Sequence, residues 1–201
     1  MVERQRPPAA VSGVAVDPGE HVCVLYRGRA ERDRLLAPFL ADGLLAGDAC
    51  LLLEAEGEGR TIRDVLARQD PAARPYADDL RIRGPELYLR DGVFDADRAL
   101  ALLSAWSDTV LAPDPPPLVR LAADMSWAGP LVAPDFVDDL VGYEAAATRW
   151  LAARPVAGMC LYDLELFGSE AVVPLVRVHP KVLLGGMVME NPCACGGGEP
   201  G

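Results

Sequence analysis

A single lysine, Lys181, stands against eighteen arginines in this chain. A phosphate-gripping loop of the Walker type and a Schiff-base lysine are therefore excluded anywhere before residue 181. Only two histidines occur, His21 and His179, so no H-x-x-x-H or comparable pair of metal ligands is present. The five serines (Ser12, Ser104, Ser107, Ser126 and Ser169) include none in a G-x-S-x-G setting, which removes the nucleophile elbow of the hydrolases. No apolar run approaches the ~18 residues needed to cross a bilayer, and the first ten residues carry Arg4, Arg6 and two prolines where a secretory segment needs an apolar stretch. A cytoplasmic protein without membrane contact is expected.

Basic charge is scarce overall. Nineteen Lys and Arg against thirty Asp and Glu leave a net charge of −11. No basic stripe is present to displace the counterions of a nucleic acid, so direct binding to DNA or RNA is not expected. The five cysteines are odd in number and follow no secretory signal, which argues against a disulfide framework. Cys23, Cys50 and Cys160 sit in apolar runs and read as small buried hydrophobes. Cys193 and Cys195 fall in a Gly/Pro tail and supply only half of a soft-metal site. No cofactor or metal is expected.

What remains suits one domain: 201 residues, 51% apolar, is enough to bury a sizeable core. Short apolar runs alternate with longer amphipathic ones. Strands are expected at His21–Tyr26, Ala49–Glu54, Leu80–Arg83, Leu118–Ala123, Val156–Tyr162 and Val182–Met189. Helices are expected at about Ala30–Ala46 with a kink at Pro38, Thr61–Arg68, Asp95–Leu111, Pro134–Ala153 and Ser169–Val176. Strands joined through helices imply an α/β fold, a three-layer, mainly parallel, doubly wound sheet. Residues 1–19 read as a flexible N-terminal segment, 20–191 as the domain and 192–201 as a flexible tail.

In such a sheet, ligands bind beyond the carboxyl ends of the strands. Three strands end there in polar or aromatic groups: Leu25-Tyr26, Asp124-Met125-Ser126-Trp127 and Cys160-Leu161-Tyr162-Asp163. Glu144, beside Tyr143, falls inside the apolar stripe of its helix. A buried carboxylate needs either a partner, Arg149 or Arg120, or a cavity to face. His21 opens its strand at the opposite edge and reads as a structural hydrogen-bonder. His179, before Pro180, reads as a turn residue able to swing toward the crevice. The candidate ligand-binding set is thus Tyr26, Trp127, Tyr143 and Tyr162 as walls, with Asp124, Glu144, Asp163 and His179 as polar contacts.

The order His21-x-Cys23-x-x-Tyr26, Phe39-Leu40-x-x-Gly43-Leu44-x-x-Gly47-Asp48, Asp124-Met125-Ser126-Trp127, Tyr143-Glu144, Cys160-Leu161-Tyr162-Asp163 and His179-Pro180 resembles the MEDS family, the methanogen/methylotroph, DcmR-type sensory domain. The resemblance covers about residue 20 to Asn191. It implies a diverged RecA/KaiC-like fold and the sensing of small molecules, hydrocarbon derivatives among them. It also places a Walker A loop near Arg27–Arg34 and Asp124 near the Walker B position. That loop has one glycine, no lysine and no hydroxyl, so a functional P-loop and ATP hydrolysis are not expected.

A stand-alone sensory domain acting in signal transduction or transcriptional regulation is the expected function, its output passing through a regulatory partner or self-association. The alternatives are an acid–base enzyme, hydrolase-like or otherwise, built on Asp124, Glu144 and His179, and a pure interaction module.

Overall fold

Three stretches of backbone, His21–Tyr26 (β3), Val119–Asp124 (β8) and Val156–Asp163 (β9), are buried at every residue and apolar but for His21, Arg120, Asp124 and Asp163. Strands of that kind belong in the middle of a sheet covered on both faces. The computed structural model, which describes residues 9–54, 62–112 and 114–191, places them there. The seven-stranded sheet has the order β11-β10-β3-β9-β8-β4-β5, with β4 at Ala49–Leu53, β5 at Arg81–Arg83, β10 at Lys181–Leu184 and β11 at Met187–Glu190. Six strands are parallel, and only β11 runs antiparallel, against β10.

Helices α1 (Gly28–Ala46) and α2 (Ile62–Gln69) cover one face; α3 (Ala96–Leu111), α4 (Pro134–Ala152) and α5 (Ser169–Val178) cover the other. The expected three-layer α/β arrangement is what forms. Asp95 caps α3 by accepting a hydrogen bond from the Arg98 amide at 2.9 Å. α1 continues through Pro38, which faces solvent.

Three expectations need correction. Residues 9–16 are not loose: β1 (Ala9–Val11) and β2 (Val14–Val16) form an antiparallel hairpin whose Ala9, Val11 and Val16 are buried with the α1 layer. The single strand expected over Val182–Met189 is two, because Gly185 and Gly186 both take positive φ, the requirement of a two-residue hairpin turn. Between β5 and α3, where no strand is expected, a further hairpin forms, β6 (Leu89–Arg90) and β7 (Val93–Phe94), turned by Asp91-Gly92 at φ 52° and 81°. Thr61, Cys193 and Cys195 lie outside the described residues.

The Gly43-Leu44-x-x-Gly47-Asp48 stretch has a packing explanation. Gly47 ends α1 in the left-handed region, and the Asp48 amide returns to the Gly43 carbonyl at 2.9 Å. Arg120 on β8, 1% exposed, passes beneath α1: its Nε donates to Asp48 Oδ2 at 2.7 Å and its Nη1 to the Phe39 carbonyl at 2.9 Å. A side chain at 43 would set its Cβ 2.7 Å from both Arg120 Cδ and Cys50 Sγ. Gly43→Ala, which would gain about 1 kcal/mol in an open helix, is instead expected to cost about 1–3 kcal/mol through overpacking. A thermal melt checks this: at ~2–4 °C per kcal/mol the midpoint falls by roughly 2–12 °C, and a rise would mean that Arg120 moves aside freely.

Candidate functional site

The expected site residues fall into three groups. At the carboxyl rim of the sheet, Tyr26, Asp163 and Asp124 end the adjacent strands β3, β9 and β8, so the convergence expected of them is real. Asp124 Oδ1 accepts from the Tyr26 hydroxyl at 3.3 Å and from the Ser126 amide at 3.0 Å. Its Oδ2 accepts from Arg32 Nη1 at 2.6 Å. Arg32 also donates to Asp33 Oδ1 from Nε and Nη2, at 3.1 and 2.8 Å, and approaches Glu54 at 3.5 Å. Asp163 Oδ1 accepts the Gly28 amide at 3.1 Å and the Glu165 amide at 2.9 Å. Burial works against the Arg32 charge, but Asp124 and Asp33 outweigh it and raise its pKa. Burial, reinforced by Asp124 and Asp163, pushes the Tyr26 phenol up, so it stays a donor.

The second group is aromatic, on the opposite face of the sheet from Tyr26. Trp127 stacks on Tyr88 with centroids 4.7 Å apart, Phe94 leans on Trp127 and Tyr143 at 5.7 Å each, and Phe136 stands edge-on to Phe94 at 5.6 Å. Outside Phe94 and Tyr143 opens a cavity of about 610 Å³, bounded by the β6–β7 hairpin, the start of α3 and α4, with Arg90, Asp95, Asp138 and Asp139 on its lip. The hydroxyl of Tyr88 and Nε1 of Trp127 are buried without a hydrogen-bond partner among the described residues. Tyr88, Phe94 and Phe136 were not singled out from the sequence, although Asp91-Gly92 is a hairpin signal that would have turned Phe94 inward.

The third group lies in the interior around Glu144, which is fully buried. Its expected partners were Arg149 or Arg120; neither is correct, since Arg120 is held by Asp48 and Phe39. Instead Oε1 accepts the Tyr162 hydroxyl, while Oε2 lies 3.5 Å from His21 Nε2 and 3.4 Å from His179 Nε2. The two imidazoles, from distant ends of the chain, are 4.3 Å apart. His179 is neither a surface turn residue nor turned to the rim: it is fully buried, and its Nδ1 donates to the Leu175 carbonyl at 2.8 Å. His21, expected at the far edge as a hydrogen-bonder, does bond Thr148 and Cys160, but within this same cluster. Burial pushes His21 down to about 3, His179 nearby adding to this and Glu144 opposing it. Burial alone would raise the Glu144 carboxyl, but His179, His21 and the Tyr162 hydroxyl outweigh it and hold it lower. The set His21, Glu144, Cys160 and His179 has four potential ligand atoms within 4.8 Å of one another, close enough to hold a metal ion.

The four rings expected as one wall are therefore split among three places. The acid–base set of the enzyme alternative is split too: Asp124 belongs to Tyr26 and Arg32, whereas Glu144 and His179 meet elsewhere. Arg32→Met and Asp124→Asn are each expected to cost about 3–5 kcal/mol by stranding a buried charge or donor. In denaturant unfolding the double variant should lose at least ~1 kcal/mol less than the two single losses combined. Strict additivity would mean the pair does not interact.

A family model described as MEDS, the MEthanogen/methylotroph, DcmR Sensory domain, matches residues 20–180. Among curated proteins, the chain is 26% identical over 172 residues to the transcriptional repressor DcmR of Methylorubrum extorquens (strain DSM 6343 / CIP 106787 / DM4), a match covering 84% of this chain and 61% of the relative. The chain thus spans about three fifths of the length of the curated relative it matches. The matched span covers most of the chain, and the chain belongs to the MEDS family of sensory domains.

Proposed function

We propose that the domain senses a small, neutral or cationic organic molecule, a hydrocarbon derivative, held in the cavity between the β6–β7 hairpin and α4. The observation that carries this reading is the cavity's floor. Phe94 and Tyr143 face a space of about 610 Å³, a size suited to a small ligand, and belong to a cluster of five rings. Aromatic faces attract apolar bodies and cationic heads alike. The lip carries Asp91, Asp95, Asp97, Asp138 and Asp139 against Arg90, so an anion is repelled and a neutral or cationic ligand is not.

The remaining candidates take supporting parts in this reading. Tyr143 touches the ligand and Trp127 stands one ring behind. Glu144, Tyr162 and His179 anchor α4 to the sheet one residue further along. Tyr26, Asp124 and Asp163 tie the loops at the rim to α1. Ligand binding shifts the population of the short β6–β7 hairpin between arrangements that differ in affinity for the ligand. The output reaches a regulatory partner or a second copy, and any contact with DNA in a DcmR-like repressor function is made by another module.

The rim supports a diverged RecA/KaiC-like fold that does not hydrolyse ATP. The amides at the start of α1, where a phosphate would sit, are held by the chain's own carboxylates: Arg27 N–H by Glu31 at 2.8 Å and Gly28 N–H by Asp163. Arg32 fixes Asp124, leaving no free acid at the Walker B position for Mg²⁺.

Thermal shift and tryptophan fluorescence against a panel of short alcohols, haloalkanes and methylated amines test the reading, with acetate and phosphate as anionic controls. A neutral or cationic member is expected to raise the melting midpoint, by about 2.7 kcal/mol of stabilisation at one hundred times its Kd, and to change Trp127 emission. Phe94→Ala should abolish the shift, with circular dichroism of the variant checking that the partly buried position keeps the fold. A shift that survives this substitution, or one elicited equally by the anions, places the ligand elsewhere.

A further inference from the structure

Two atoms in the molecule's interior face one another in a way that neither can sustain alone. Glu144 Oε2 and His179 Nε2 are 3.4 Å apart, both fully buried, and neither has a hydrogen-bond partner among the described residues. The tautomer of His179 follows from its other nitrogen: the Leu175 carbonyl can only accept, so Nδ1 carries the proton and Nε2 of the neutral ring presents a lone pair. The same holds for His21. Thr148 Oγ1 donates to the Glu144 carbonyl at 3.0 Å and so accepts from His21 Nδ1 at 2.9 Å, leaving the His21 Nε2 lone pair inward, 3.5 Å from the same carboxylate oxygen. Cys160 Sγ closes the group, 3.1 Å from His21 Nε2, and its S–H donates to that lone pair. The Glu144 and His179 lone pairs still face one another in a dry interior, which is costly unless a cation lies between them.

We propose that His21, Glu144, Cys160 and His179 form a binding site for a divalent transition-metal ion, zinc being the best fit. A tetrahedral centre with bonds of ~2.1 Å separates its ligands by about 3.4 Å, the spacing found between Glu144 Oε2 and both imidazoles. The donor set of two imidazoles, a carboxylate and a thiolate suits zinc, with cobalt as its spectroscopic stand-in. Charge closes as well: with the Cys160 proton released on binding, thiolate and carboxylate balance a divalent ion and the imidazoles stay neutral. The surroundings have the form of a metal site's outer shell. Each histidine is oriented by a hydrogen bond from Nδ1 to a fixed acceptor, and the spare oxygen of Glu144 is held by Tyr162.

Four protein ligands make a closed site, so the ion ties β3, α4, β9 and the end of α5 together rather than activating a water. The ligand spacing hid this from the sequence, where two histidines so far apart made a metal unexpected. The site does not depend on where the organic ligand binds.

The test uses the full chain, without a histidine tag and with Cys193→Ser and Cys195→Ser to remove thiols outside the described residues. After incubation with Zn²⁺ and gel filtration, mass spectrometry of the metal content should give one ion per chain. Loading with Co²⁺ should give the intense visible bands of a tetrahedral centre together with a thiolate-to-cobalt charge-transfer band. Cys160→Ser should remove the charge-transfer band, and Thr148→Val, which touches no metal, should weaken Zn²⁺ affinity 10–100-fold through His21. Retention of no metal, an octahedral cobalt spectrum, or a charge-transfer band that persists in Cys160→Ser would each overturn the assignment.

Discussion

A carboxylate at the dry centre of a protein commits everything around it. Glu144 sits in the apolar stripe of α4 at no exposure, facing β9 and β3, and a charge there is tolerable only if every lone pair is met. Tyr162 from β9 donates to one of its oxygens, and His21 from β3 and His179 from the end of α5 bring their Nε2 atoms to the other. These elements must therefore stand in the relation they do before the charge is satisfied. Residues that look like separate motifs in the chain, His-x-Cys at the first strand, Tyr-Glu in a helix and His-Pro after another, are one object in space.

The rim carries a second charge system of a different kind. There Arg32 is the hub, and acids from β8, from α1 and from the end of β4 surround it. Such a network is worth little as net stability, because desolvation of each charge offsets most of the attraction. It does fix geometry: α1 cannot shift along the sheet without stranding Asp124 or Asp163. The loop between β3 and α1 is thereby kept as a fixed helix start, its Gly28 amide held by Asp163. On the other face, Arg98 Nη1 donates to the carbonyls of Glu86, Leu87 and Leu89 and so ties the approach to the short β6–β7 hairpin to the start of α3.

Much of the fold was legible in the chain. The apolar runs at β3, β8 and β9 signalled strands, the periodicity of α3 and α4 gave helices to within a residue or two, and Glu144's place in the stripe correctly marked it as buried. The errors were local and had local causes. Gly185-Gly186 and Asp91-Gly92 are turn dipeptides that were read through, so one hairpin became a strand and another became irregular. Residues 9–16 were dismissed because a three-residue strand has too little pattern to show; its burial comes from α1, not from itself.

Sequence by itself settled the alternation of strands and helices, the parallel sheet, the absence of a phosphate-gripping lysine before residue 181, and the burial of Glu144. Hydrophobic periodicity reports how deeply a residue lies, and turn chemistry reports where the chain reverses. Only the tertiary structure decided who meets whom. The order β10-β3-β9-β8-β4 is set by crossovers that look alike locally whichever strand they reach, and that order brings His21 against Cys160 and Glu144 and carries His179 to the same point. It also sends Tyr26 to one face of the sheet and Tyr162 to the other, because neighbouring strands in this register point residues of opposite parity to opposite sides.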